Sequence, residues 1–178
     1  MKGFLKLSFC VVCFFTSIIC AEELDKRIVV YADVSGDMFH AGHVEFFKKA
    51  KAFGNYLIIG VLADDVIEGY KRCPVLSLEE RVKVIEACKY VDEVIVAPPL
   101  NLSKEVMQKL QISYVVHGDD FSPELIQDQY GDAIEMGIFR TVPYTPGIST
   151  TNIISRITER YSKGEFGGGE KLLTDSSE

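Results

Sequence analysis

The chain has 178 residues, 47% of them hydrophobic and 25% charged, with a formal net charge of -7. That length and balance exclude a disordered chain and call for one domain with a full core. The acidic charge excludes a general affinity for nucleic acid or anionic lipid, because both need clustered Lys and Arg; any nucleotide it binds should be small and met by a local basic site.

In chain order, residues 1–21 come first. Lys2 and Lys6 flank the start, and Leu7 to Ala21 is apolar apart from Ser8, Thr16 and Ser17. This is the layout of a secretory signal peptide, and it is short for a spanning helix. It predicts a leader over 1–21 that exports the chain or associates it with a membrane, cut before Glu22; without a functional leader the protein is cytoplasmic. Cys10, Cys13 and Cys20 fall in this leader and leave Cys73 and Cys88 in the domain, too few for a disulfide framework or a zinc site.

Beyond the leader, apolar runs alternate with amphipathic stretches. Ile28 to Ala32 reads as a strand, Val44 to Phe53 as a helix, Tyr56 to Val61 as a strand and Leu78 to Cys88 as a helix begun by the capping box Ser77 and Glu80. Val94 to Ala97 reads as a strand, Lys104 to Leu110 as a helix capped by Ser103, and Tyr114 to His117 as a strand. A helix over 123–136, a strand over 138–142 and a helix over 151–161 complete the domain of residues 22–161, with a disordered tail over 162–178. Near-continuous apolar strands between helices predict a Rossmann-like α/β fold, a parallel five-stranded sheet with helices on both faces and the ligand at the carboxyl ends of the strands.

All three histidines follow strands: His40 and His43 after the first, His117 at the end of the fourth. His40-Ala41-Gly42-His43 sits on the turn into the first helix, where free N–H groups and partial positive charge suit phosphate. Gly42 clears space for a close backbone approach, and two imidazoles three positions apart can both donate to phosphate oxygens as charge builds.

His40-Ala41-Gly42-His43 matches the HxGH signature of the nucleotidyltransferases. Three further runs join it in order: Lys71 with Glu80-Arg81 and Tyr90-Val91-Asp92-Glu93-Val94, then His117-Gly118-Asp119-Asp120, then Gly147-Ile148-Ser149-Thr150-Thr151. From Arg27 to about Arg160 the chain resembles the cytidylyltransferases of choline phosphate, ethanolamine phosphate and glycerol 3-phosphate. The resemblance implies transfer of a cytidylyl group from CTP to a small phospho-alcohol, phosphoethanolamine favoured, with release of pyrophosphate. It implies His40, His43 and Lys71 as catalytic residues. It draws the nucleotide site from Ser35, Gly36, Asp37, Gly42, Arg81, His117, Gly118, Asp119, Tyr144, Gly147, Ile148, Ser149, Thr150 and Thr151. Magnesium accompanies CTP in this picture, with no protein metal ligand assigned. A homodimer is implied, its interface near 27–35 and 90–94.

Each run also has a plainer reading. Arg81 could pair with Glu79 or Glu86 along its helix, Asp119 and Asp120 could be turn residues, and Ser149 could be only an N-cap. The match breaks in two places: the usual GxFD run reads Val34-Ser35-Gly36-Asp37, and a phosphate-contacting arginine is replaced by Tyr144, with Arg140 as a candidate substitute. Tyr70 and Phe121 are candidates for holding the acceptor's head group. Other acceptors (glycerol 3-phosphate, phosphocholine, an aminoalkylphosphonate), an adenylyltransferase, and a degenerate nucleotide-binding member stay open as alternatives.

Overall fold

The computed structural model describes residues 26–166. The leader, its cut before Glu22 and most of the expected tail lie outside the described residues. Among those described, no helix is long and apolar enough to cross a membrane.

Five parallel strands form one sheet in the order β3-β2-β1-β4-β5, with β1 Val29–Val34, β2 Tyr56–Val61, β3 Glu93–Val96, β4 Ile112–Gly118 and β5 Phe139–Val142. The helices are α1 Ala41–Lys51, α2 Asp64–Glu68, α3 Leu78–Glu86, α4 Lys104–Lys109, α5 Pro123–Glu135 and α6 Thr150–Ser162. The expected α/β class and strand count hold, with shifts at element ends. The short helix α2 was not anticipated, because five residues are too few to show a helical period.

Alternation along β1 divides the core. Val30 and Ala32 pack on one face with Phe47, Ala50 and Ile85 from α1 and α3. Val29 and Tyr31 pack on the other with Met107, Tyr130 and Ala133 from α4 and α5. A strand buried on both faces must be apolar throughout, which explains why VVYADV shows no polar side before Asp33. The chain leaves β1 toward β2 on one side and later adds β4 on the other. A crevice therefore opens at the carboxyl ends of β1 and β4, the switch point where such sheets bind ligands.

The segment 27–35 is mostly the central strand β1, paired on both sides, with Arg27 and Ile28 exposed just ahead of it. One expectation needs correction here. Arg140 lies at the amino end of β5, donating to the Gly137 and Phe139 carbonyls with its guanidinium 5.0 Å from the Tyr114 ring centre. That is the sheet edge opposite the crevice, so Arg140 does not stand in for the missing arginine.

Candidate active site

The two histidines shape the start of α1 themselves. His40 is the N-cap: its Nδ1 accepts the Gly42 N–H at 3.1 Å, while His43 Nδ1 accepts the His40 N–H at 3.2 Å. This is a capping box built from two imidazoles, and it starts the helix at Ala41 rather than Val44. It also fixes the tautomers. A neutral imidazole whose Nδ1 accepts must carry its proton on Nε2, so both rings keep an Nε2–H donor. The rings stack with centres 3.9 Å apart and both line the cavity. A Cβ on Gly42 would lie 2.9 Å from the His40 ring, so glycine is required for this stacking.

Burial, then the neighbouring His40, push the His43 pKa down to about 3, with Asp37 opposing and Lys71 reinforcing. Burial also lowers His40. Both rings are therefore neutral donors at physiological pH.

The crevice is a cavity of about 540 Å³. The structure brings His40, His43 and Lys71 together in it with Ser35, Asp37, Gly42, His117, Gly118, Tyr144 and Ile148 to Thr151. At one end stand the histidine pair and the start of α6, where Ser149 caps the helix by accepting the Asn152 N–H. Two helix N-termini thus face the same space, an arrangement that favours anions.

Asp37 is buried and holds this end together. Its Oδ1 accepts the Val75 and Leu76 amides, each at 3.0 Å, and its Oδ2 accepts Arg72 at 2.8 Å. Burial by itself would raise this carboxyl, but those hydrogen bonds hold it below its ordinary value. Sequence reasoning missed Arg72, whose signal is only its place beside Lys71; it lines the cavity as a second cation.

Four predicted site residues do not line the cavity and act behind it. Arg81 is fully buried, bonded to the Ser35 carbonyl, the Leu76 carbonyl and Asp64. It does not pair with Glu79 or Glu86. Asp119 accepts the Tyr144 N–H at 2.8 Å and ties the loop before α6 to the end of β4. Gly147 has φ +89 in the turn that opens α6, and Gly36 has φ +69. A Cβ on Gly36 would sit 2.6 Å from Ile85 Cδ1. A side chain in this turn is therefore excluded both by space and by backbone, and the altered Val34 to Asp37 run forms a turn of defined shape.

The other end of the cavity is acidic and aromatic. Asp33, 7% exposed, lines it and accepts the Tyr130 hydroxyl at 2.8 Å. Burial raises its pKa, with the nearby His117 and the Tyr130 hydrogen bond opposing. The His117 ring lies between Phe121, 4.2 Å centre to centre, and Tyr130, 5.2 Å. Phe121 and Tyr70 also line this space. Asp33 was not anticipated as a site residue, because in sequence it is the polar end of an apolar strand. Among the described residues no cluster of three or more His, Cys, Asp or Glu could hold a metal ion.

A family model described as cytidylyltransferase-like matches residues 35–156, spanning both ends of the cavity. The chain belongs to this family. It is 40% identical over 136 residues to the ethanolamine-phosphate cytidylyltransferase of Dictyostelium discoideum, covering 74% of this chain and 38% of that protein. It is 41% identical over 151 residues to a probable ethanolamine-phosphate cytidylyltransferase of Encephalitozoon cuniculi, covering 84% and 46%. It is 37% identical over 140 residues to human choline-phosphate cytidylyltransferase A, covering 77% and 38%. The chain thus spans less than half the length of these relatives. A lipopolysaccharide core biosynthesis protein from Thermoplasma volcanium shares the fold, with a TM-score of 0.55 and 21% identity over 69% of this chain and 100% of that one.

Proposed function

We propose that this protein transfers a cytidylyl group from CTP to phosphoethanolamine, releasing pyrophosphate. The observation that carries the reading is the histidine pair, whose two Nε2–H donors are reserved by backbone hydrogen bonds for an anion in the cavity. The acceptor's phosphate oxygen attacks the α-phosphorus of CTP as the bond to the β-phosphate oxygen breaks, and no enzyme group is covalently attached. His40 and His43 donate to the oxygens where charge develops; Lys71 and Arg72 attract the phosphates; Ser149 and Thr150 present the start of α6 to them. Preorganised donors of this kind supply most of the rate enhancement for such a displacement.

Magnesium fits the reading as an ion that arrives with CTP, because it needs few protein ligands when phosphate oxygens and water complete its shell. Of the cavity carboxylates, Asp33 and Asp37 accept protein hydrogen bonds, and no protein ligand is assigned to the ion. Carried in by the phosphates, it would neutralise charge on the leaving pyrophosphate.

The acidic, aromatic end supports an ammonium-bearing acceptor. A cation beside Asp33 would keep the carboxylate ionised despite its burial, and aromatic faces add cation–π attraction. Glycerol 3-phosphate offers no such charge. The names carried by the relatives agree with an amine-bearing acceptor. A homodimer with its interface near residues 27–35 and 90–94, and membrane association or export through residues 1–21, complete the proposal.

The test is pyrophosphate release by the whole chain with CTP or ATP, offered phosphoethanolamine, phosphocholine, glycerol 3-phosphate or 2-aminoethylphosphonate. Turnover with CTP and phosphoethanolamine is expected. Release with ATP alone would make it an adenylyltransferase, and nucleotide binding without release would make it a degenerate member. Light scattering at a monomer mass across concentrations would remove the dimer.

A further inference from the structure

Helix α5 is broken at the point where it faces the cavity. Tyr130 has φ −121 and ψ 17, a kink within Pro123–Glu135. Successive residues of a straight helix point about 100° apart, and here the neighbours Gln129 and Tyr130 are both buried. The Asn101 side chain donates to the Asp128 carbonyl at 3.1 Å, pinning the turn just before the kink to the loop that follows β3. Tyr130 is accounted for by its bond to Asp33. Gln129 is not part of the reaction described above, yet it is 8% exposed and lines the cavity with Asp33 and Leu100.

Burying an amide is costly unless its oxygen and nitrogen find partners. Gln129, Asp33 and Leu100 also line a second small pocket behind the first, of about 10 Å³, which has room for one water. Tyr31 Oη, buried at that pocket, has no hydrogen-bond partner among the described residues. The region behind the cavity wall is therefore polar, with space for a water or another small hydrogen-bonding group.

We propose that Gln129 selects a primary ammonium over a quaternary one on the acceptor, accepting a hydrogen bond through its side-chain carbonyl while Asp33 supplies the charge. This rests on the reading of the protein as a cytidylyltransferase with an amine-bearing acceptor. A primary ammonium has three N–H donors, and one carboxylate that already accepts Tyr130 leaves donors over for a second acceptor. A trimethylammonium has none, so it would bury the Gln129 carbonyl unpaired. Sites built to hydrogen-bond a substrate group discriminate strongly against analogues that lack it.

The experiment compares kcat/KM for phosphoethanolamine and phosphocholine at saturating CTP in the wild-type chain, Gln129→Met and Gln129→Glu, with the KM for CTP measured alongside. Wild type should favour phosphoethanolamine. Gln129→Met, close in volume but without an acceptor, should lose about tenfold to a hundredfold with phosphoethanolamine while phosphocholine holds or improves. Gln129→Glu keeps an acceptor and should keep the preference, and the KM for CTP should stay put in both. Gln129→Leu, which also lacks an acceptor, repeats the comparison if the Met variant does not fold. Equal losses with both acceptors, an unchanged preference, a parallel rise in the KM for CTP, or a wild type that favours phosphocholine would each overturn the inference and leave cytidylyl transfer standing. A wild type that turns over neither amine would instead overturn the reading beneath it.

Discussion

The Thr150 hydroxyl donates to the Asp37 carbonyl at 2.8 Å, across 113 residues of chain. Since the Asp37 carboxylate also takes Val75, Leu76 and Arg72, one residue ties together the turn after β1, the Lys71 loop and the start of α6. Each carries part of the phosphate end, so their relative placement depends on this buried acid.

His40→Asn should separate capping from chemistry. Asparagine is as good an N-cap as any residue, so thermal stability should stay within about 1 kcal/mol of wild type. Loss of the Nε2–H donor should lower kcat about 100- to 1000-fold. Calorimetry beside steady-state turnover checks both, and wild-type turnover would remove His40 from the mechanism.

Imidazole NMR of the free protein should show His43 as the neutral Nε2–H tautomer from pH 8 down to near its depressed pKa of about 3. The sign for stability follows. Above about pH 6.5 the ring is neutral folded and unfolded, so it contributes no pH dependence. Between there and about pH 3 only the unfolded chain takes the proton, so His43 destabilises the fold progressively as pH falls, with a slope approaching ~1.4 kcal/mol per pH unit. A His43 resonance that titrates near 6.5 would contradict the burial argument.

Arg81→Met should destabilise the fold by about 2–4 kcal/mol in urea unfolding, because it strands the Ser35 and Leu76 carbonyls. Asp64 is half-exposed and can turn to water, which limits the loss. A change confined to the KM for CTP, with unchanged stability, would make Arg81 a direct ligand instead.

Gly36→Ala should cost about 1–3 kcal/mol, since φ +69 disfavours any side chain and the new Cβ meets Ile85. The denaturation midpoint reads it directly, and an unchanged midpoint would mean that the turn relaxes freely.

Tyr144→Arg should be a gain of function. Tyr144 is half-exposed and lines the cavity, held by its backbone N–H on Asp119. A guanidinium there should lower the KM for CTP about fivefold to thirtyfold through charge-assisted bonds to phosphate. No change would show that the loop aims this position away from the nucleotide.

The sequence by itself determined the layers and much of the phosphate end. Apolar strands alternating with capped helices require a covered parallel sheet, and Ser77 with Glu80 sets the start of α3 as read. The histidines and the Ser149 cap were legible because local spacing determines where a helix N-terminus falls, whereas Lys71 came only from the family resemblance. Only the tertiary structure decided which residues line the cavity and which stand behind it. Arg81, Asp119 and Gly36 look like ligands in sequence yet support the site from behind, while Asp33, Arg72 and Gln129 carry no local pattern and enter it. The reason is physical: caps and turns are bonds between residues a few positions apart, whereas Asp33 meets Tyr130 across 97 residues and Asp37 meets Arg72 across 35. Those meetings depend on strand order and on a kink in α5, which are products of the packed sheet and have no signature in a local stretch of chain.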